Sequence, residues 1–211
     1  MPEAISPAGV AAPDDEALVS LARAGDRPAC EELFKRHRGV AYRVAYRLLG
    51  NEADALDAVQ DGLLKAFSAL NEFDGRSAFK TWLMRVVSNA ALDLGRKRGR
   101  SKVFGFGSGS GGGSGDVHKN GDLPSHSFEP GQVDDPARGL HLEDLRIAID
   151  AALARLSPKL RVTFVLFAEA GLSYKEIALD QRIPIGTVMS RINQARQKLQ
   201  SAPEIQDLET P

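Results

Sequence analysis

A chain of 211 residues has room for one ordinary domain or two small ones, at about 100 to 200 residues per domain. Hydrophobic residues make up 43% and charged residues 26%, near the soluble globular average, so wholesale disorder is excluded and a buried core is expected. The net charge of -1 resolves into +2 over residues 14–100, +3 over residues 140–200 and -6 in the acidic remainder, so any nucleic-acid affinity from charge alone is modest and a partner must supply much of the grip.

Apolar residues recur at helical rather than strand spacing in both halves, which predicts an all-α fold. Asp14, Asp15 and Glu16 offer acidic caps before Leu18, Val19 and Leu21. A turn at Gly25-Asp26 follows, then Cys30, Leu33, Phe34, Val40, Val44 and Leu48, stopped by Gly50 and Asn51. A third helix from about Glu52 to Leu70 places Leu56, Val59, Leu63, Phe67 and Leu70 on one face, with Leu56, Val59 and Leu63 assigned to the core. Asp54, Asp57, Gln60, Asp61 and Lys65 stand on another face. After the turn 71–77, a fourth helix carries Phe79, Trp82, Leu83, Val86, Ala90 and Leu94, a stripe that assigns Trp82 to the core. Five of the seven residues from Arg96 to Lys102 are basic.

Residues 103–138 replace this periodicity with Gly, Ser, Pro and Asp and read as a linker. About 36 flexible residues span roughly 30–36 Å on average and about 120 Å drawn out, enough to seat the flanking blocks on separate sites. Gly107, Gly109 and Gly112 fit G-x-G-x-x-G, but no strand precedes them and no amphipathic helix follows, so a nucleotide loop is not expected.

The second block opens with an amphipathic helix from Leu140 to Leu156, marked by Leu145, Ile149, Leu153 and Leu156. Ser157-Pro158 then predicts a hydroxyl cap and a first-turn proline, with Leu160, Phe164 and Phe167 on the apolar face. Gly171 ends that helix. Ser173 and Glu176 form a capping box for a short helix to Leu179 or Asp180, and a last helix runs from about Pro184 to Leu199. Two helices across a tight turn make a helix-turn-helix pattern. Val188, Ile192, Ala195 and Leu199 turn inward, leaving Thr187, Ser190, Arg191, Gln194, Gln197 and Lys198 outward. Gln and Arg pair with adenine and guanine edges, and Ser, Thr and Lys hold phosphates. A plain solvated face is the alternative for such a helix taken alone.

The domain plan is a disordered N-terminus over 1–13, a helical domain over 14–102, a flexible linker over 103–139, a helix-turn-helix domain over 140–200 and an acidic tail over 201–211. One cysteine, Cys30, and four scattered histidines (His37, His118, His126, His141) give neither an intramolecular disulfide nor a Cys-rich zinc site, so no metal or other cofactor is expected and a reducing compartment fits. No apolar run approaches the roughly 18 residues that span a bilayer, and residues 1–16 lack the marks of a signal peptide, so a cytoplasmic protein without membrane insertion is expected. No nucleophile–base pair, metal cluster or phosphate loop has a supporting context, and an enzyme is not expected.

Residues 156–199, LSPKLRVTFVLFAEAGLSYKEIALDQRIPIGTVMSRINQARQKL, resemble region four of bacterial sigma factors, and DALDAVQDGLLKAF (54–67) with FDGRSAFKTWLMRVVSNAALDLGRKRGR (73–100) resembles region two. No segment fits an intervening region three, which points to the compact extracytoplasmic-function class. The resemblance implies a dissociable initiation factor with core RNA polymerase, promoter DNA and an anti-sigma factor as partners. It assigns Asp54, Asp57, Gln60, Asp61 and Lys65 to core polymerase. It assigns Asn71, Phe73, Asp74, Arg76, Ser77, Lys80, Arg85, Ser88, Asn89, Arg96, Lys97, Arg98 and Arg100 to opening and reading the minus-ten element. Thr187, Ser190, Arg191, Gln194, Arg196 and Lys198 fall to the minus-thirty-five duplex. The sequence departs from the family where Met189 stands in place of a common Lys or Arg, and Asn193 and Gln194 stand where a basic or aromatic residue is common, so no promoter consensus carries over. Against this stand a self-sufficient helix-turn-helix regulator and an adaptor that binds only proteins.

Overall fold

The computed structural model describes residues 12–98 and 136–209, with side chains from 144 to 206 in the second part. Expectations for residues 1–11 and for most of the linker, and the assignment of Arg100 to DNA, lie outside the described residues. Helices α1 (Asp15–Arg23), α2 (Arg27–Leu49), α3 (Glu52–Ser68) and α4 (Phe79–Lys97), with a 3-10 turn at Leu70–Glu72 before α4, form the first domain. Helices α5 (Pro136–Arg155), α6 (Pro158–Ala168), α7 (Tyr174–Gln181), α8 (Ile185–Gln200) and α9 (Pro203–Glu209) form the second. Every regular element among the described residues is helical, as the apolar period predicts.

Local chemistry sets the ends. Asp14, Asp26 and Asn51 accept from the backbone N–H groups of Ala17, Ala29 and Asp54, so each opens a helix, and Asn51 is a start rather than a stop. Gly50 ends α2 at φ +66°, where a side chain would be strained. Ser173 and Glu176 close the capping box at α7. Ser157 precedes the Pro158 start as expected but gives no side-chain cap. Helix α5 begins at Pro136, four residues earlier than read, and the expected acidic tail contains α9, whose seven residues are too few to show an apolar period.

The core of the first domain is α2, α3 and α4, with Leu33, Val44, Leu83, Met84 and Val87 fully buried. Trp82 is partly buried against Phe73 and Phe79. Of the three residues assigned to the core on α3, Val59 is buried and Leu63 partly buried against it, but Leu56 is 52% exposed, as is Phe67 of the same stripe at 60%. Helix α3 lies too close to α4 for a broad apolar face. A Cβ on Gly62 would sit 3.0 Å from the Cα and Cγ2 of Val87, so small residues (Ala55, Ala58, Gly62, Ala66) make that contact. Leu56 and Phe67 are turned away from it.

In the second domain Val188, Ile192 and Ala195 of α8 pack inward as read, against α6 and α7. One apolar cluster runs from α1 through α2 and α4 into Val162, Val165, Leu166 and Ile177, so the two domains share a core.

The α3–α4 contact is testable. Gly62→Ala adds a methyl that meets backbone, which cannot rotate away, and overpacking of about 1–3 kcal/mol outweighs the roughly 1 kcal/mol gained in helix propensity. Gly186→Ala, in open space at the start of α8, carries no such penalty. Thermal unfolding should show a lower midpoint for Gly62→Ala and an unchanged or higher one for Gly186→Ala.

Candidate nucleic-acid interface

Helices α7 and α8 meet across a tight turn in which Arg182 adopts φ 52° and ends α7. Gln181 pins the joint, its Oε1 accepting from Thr163 Oγ1 at 2.9 Å and from Arg191 Nη1 at 2.9 Å. Burial pulls the Arg191 guanidinium pKa down. The first turns of α8 and the start of α6 line an open groove formed by Ser157, Lys159, Gly186, Thr187, Ser190 and Gln194, a polar trough with a lysine at its edge. Gln194 donates to Ser190 Oγ at 3.2 Å, which holds its amide on the outer face. Arg196 lies on the other flank, its guanidinium 5.2 Å from the Phe167 ring centroid, and Ile185 and Met189 stand exposed on that same side of α8. A helix with this face enters a major groove by its first turns.

A second polar face surrounds α4 and the loop before it. Asp74 accepts from the backbone N–H of Arg76 and pairs with its guanidinium at 3.1 Å, which folds the loop over Gly75 at φ +72°. Asn71, Asp74 and Arg76 are exposed, whereas Phe73 is buried with Phe79 and Trp82 under the Arg23 guanidinium. Along α4, Lys80, Arg85, Asn89, Arg96 and Lys97 reach the surface, but Ser88 is buried with its hydroxyl on the Arg85 carbonyl. Arg85 donates to Asp180 of α7 at 2.6 Å.

The outer side of α3 is apolar and acidic together. Leu56, Gln60, Leu64 and Phe67 follow one another at helical spacing with the three apolar side chains about half exposed, and Asp57 and Asp61 flank them. Large exposed apolar side chains in one stripe mark a protein contact. Asp61 pairs with Lys65 at 2.8 Å, and Asp57 meets Arg98 at 2.9 Å.

Two family models match, sigma-70 region 2 over residues 33–101 and sigma-70 region 4 over residues 146–199. The chain is 31% identical over 189 residues to the ECF RNA polymerase sigma-E factor of Escherichia coli (strain K12), covering 88% of this chain and 92% of that one. The chain belongs to the extracytoplasmic-function sigma factors. It is 33% identical over 173 residues to the ECF RNA polymerase sigma factor SigE of Mycolicibacterium smegmatis, covering 82% of this sigma factor and 60% of that longer protein. The sigma factor RpoE from Bartonella quintana, solved in complex with the anti-sigma factor NepR, superposes with a TM-score of 0.55 and 26% identity over 82% of this chain and 94% of that one.

The structure sorts the residues assigned to each face. On α3, Asp57, Gln60, Asp61 and Lys65 are exposed, but Asp54 is buried and ion-paired with Arg98 from the end of α4. Asp54 thereby fastens α3 to α4 and is not on the docking face. Phe73 and Ser88 likewise serve the core. Arg96 pairs with Asp93, Arg98 is engaged by Asp54 and Asp57, and Lys97 is exposed beside them. Leu64 was not singled out from the sequence, although its spacing from Gln60 and Phe67 carries the signal. Nor were Arg47, Asp150 and Glu169, where Arg47 bridges Asp150 and, at 3.1 Å, Glu169 across the two domains. No helix among the described residues is long and apolar enough to cross a membrane.

Asp54 and Asp61 separate by experiment. Asp54→Ala leaves Arg98 short of a buried partner and should lower the thermal midpoint by several degrees, since the loss of about 1–2 kcal/mol is a large share of domain stability. Asp61→Ala breaks only an exposed pair and should leave unfolding within about 0.5 kcal/mol of the parent by chemical denaturation.

Proposed function

We propose that α3, α4 and α8 divide the work of a promoter-specific initiation factor that confers start-site selection on core RNA polymerase. The observation that carries this reading is the half-exposed Leu56, Leu64 and Phe67 stripe beside Asp57 and Asp61. Such a face gains most by burial against an apolar surface edged with basic residues, and it supplies the protein grip that the near-neutral charge of the chain withholds from DNA. The stripe therefore docks on core polymerase, with Gln60 and Lys65 at its rim. A self-sufficient regulator has no use for it.

In the assembled enzyme the loop 71–77 and α4 face the minus-ten element. Asn71, Asp74, Arg76 and Ser77 offer hydrogen bonds to an unstacked base, while Lys80, Arg85, Asn89 and Lys97 hold the strand beside it. Helix α8 reads the minus-thirty-five duplex. Thr187, Ser190 and Lys159 of the groove take backbone phosphates, Gln194 reads a base edge, and Lys198 and Arg196 lie farther along the helix. Arg191 contributes less than its type suggests, because Gln181 already holds it. An anti-sigma factor completes the set of partners.

Transcription with purified core polymerase, this chain and a fragmented genomic library, with start sites sequenced, tests the reading. Discrete starts that require the chain support it, and a chain that fails to bind core overturns it. Phe67→Ala, at the C-terminal end of the stripe and its most exposed member, should weaken core binding by about 30-fold or more without changing the thermal midpoint, as expected of an aromatic anchor. Gln194→Ala should lose roughly 1–3 kcal/mol of discrimination at one base pair of the upstream element. Equal weakening on every sequence in a binding titration would make Gln194 a backbone contact instead.

A further inference from the structure

Helix α8 places two large apolar side chains in water. Ile185 and Met189, one turn apart, are 43% and 52% exposed, whereas Val188 and Ile192 of the same helix are buried. Gly186, Ser190 and Gln194 follow one another at the same spacing and form a second, polar row, with Gln194 hydrogen-bonded to Ser190 and both exposed. Asn193, one turn beyond Met189, is exposed between the two rows. Arg196 stands two turns beyond Met189 on the same side, its guanidinium held over the Phe167 ring. The start of the helix therefore carries an apolar strip beside a polar one, with a cation farther back.

An exposed apolar strip commonly marks a protein contact, as on the outer side of α3. The charge around the two strips differs. Asp57 and Asp61 flank the stripe on α3, whereas α8 (Ile185–Gln200) carries Arg191, Arg196 and Lys198 and no acidic residue. A cationic helix with amide and hydroxyl groups beside its apolar strip suits a surface that is anionic at its edges and offers hydrogen-bonding groups and methyl groups at its floor. The major groove at an A·T pair is such a surface: adenine presents N7 and N6 to a glutamine amide, and thymine presents its C5-methyl group to an apolar side chain. Met189 and Arg196 are about 10 Å apart along the helix axis, so the thioether reaches the groove floor while the guanidinium meets phosphates at the wall. An unbranched thioether also moulds to a methyl surface more readily than a stiff side chain. We propose that Met189, supported by Ile185, is a specificity-determining residue that packs on thymine C5-methyl groups in the minus-thirty-five duplex. Met189 is about 7.5 Å along the axis from Gln194, which sets that thymine within about two base-pair steps of the base that Gln194 reads. The role rests on the reading of α8 as the duplex-reading helix.

Replacing thymine by deoxyuridine removes the methyl group and leaves O4 and the base pairing in place. A promoter found by start-site mapping is synthesised with single exchanges of this kind across the minus-thirty-five element, on either strand, and titrated with the full chain bound to core polymerase. At one or two positions within that window the exchange should weaken binding about fourfold, the loss of one buried methyl. This arm needs no variant protein. Met189→Ala should bind the unmodified duplex more weakly and abolish the difference between thymine and deoxyuridine at the sensitive position, which couples the residue to the methyl in a double cycle. Ile185→Ala should reduce the same difference. An element with no sensitive position overturns the inference, as does a loss that persists unchanged in Met189→Ala, which makes it an effect of DNA shape. Weaker binding of Met189→Ala to core polymerase without DNA also overturns it and gives the strip to a protein. A parent chain that starts no transcription with core overturns the initiation-factor reading itself, whereas discrete starts from a promoter indifferent to its methyl groups overturn only the role of Met189.

Discussion

The joint between the two domains depends on a buried cation. Arg161 enters from α6, is 7% exposed, and donates Nε–H to the Leu153 carbonyl at 2.7 Å and Nη1–H to the Leu48 carbonyl at 3.4 Å. Both carbonyls sit in the last turn of a helix, α5 and α2, where carbonyl groups lack intrahelical partners and the dipole is negative. Burial pulls the guanidinium pKa down, yet a guanidinium stays charged in proteins, so its compensation has to be present where it lies. Removing the carbonyls would strand an ion at a cost of several kcal/mol. Around this centre Arg47 ties α2 to α5 and α6 through Asp150 and Glu169, Arg43 adds a second pair to Glu169 at 3.4 Å, and Arg146 donates to the Tyr46 hydroxyl at 2.7 Å.

What was legible in the sequence was local. Gly50, Asp26 and the Ser173–Glu176 box act within a few residues, and each sets a helix end where it was read. The helix-turn-helix was legible for the same reason, since its apolar stripe on α8 is continuous. Periodicity says only that a face is apolar, and Leu56 was read as core although it is half exposed, because nothing in the spacing tells a buried apolar face from an exposed one. Asp54, Phe73 and Ser88 have chemistry suited to a binding site, but they sit where α3, α4 and the preceding loop meet, and their burial depends on how those elements pack. Least legible were the pairs Arg47–Glu169 and Arg85–Asp180, 122 and 95 residues apart, which leave no local trace.

Pairing within the chain also shapes the field around it. Arg47, Arg85, Arg96 and Arg98 each face an acid of the same chain. Such matched charges produce little field at a distance, so the free chain attracts DNA weakly and non-specifically bound material is limited. Affinity for any partner then has to come from local contacts, apolar on the outer side of α3 and polar on α8.

The close fit of α3 on α4 constrains how those parts cooperate. With Gly62 against Val87 and Arg98 clasping Asp54, the exposed stripe on α3 and helix α4 belong to one stiff unit. A partner seated on Leu56, Leu64 and Phe67 would move α3 and α4 as one body, because closely packed helices have little slack between them. Parting the two domains therefore has to act at the seam between them. The bonds across that seam include the Thr81–Glu176 and Arg85–Asp180 bonds to α7, the Arg47 bridge, the Arg43–Glu169 pair, the Arg146 bond to Tyr46 and the Arg161 bond to Leu48, together with the apolar contacts of α2 and α4 against α6 and α7. Water can replace the exposed members of these bonds, but not the burial of the apolar surface or the compensation of the buried Arg161 charge. Those two terms make up most of the cost of parting the two domains.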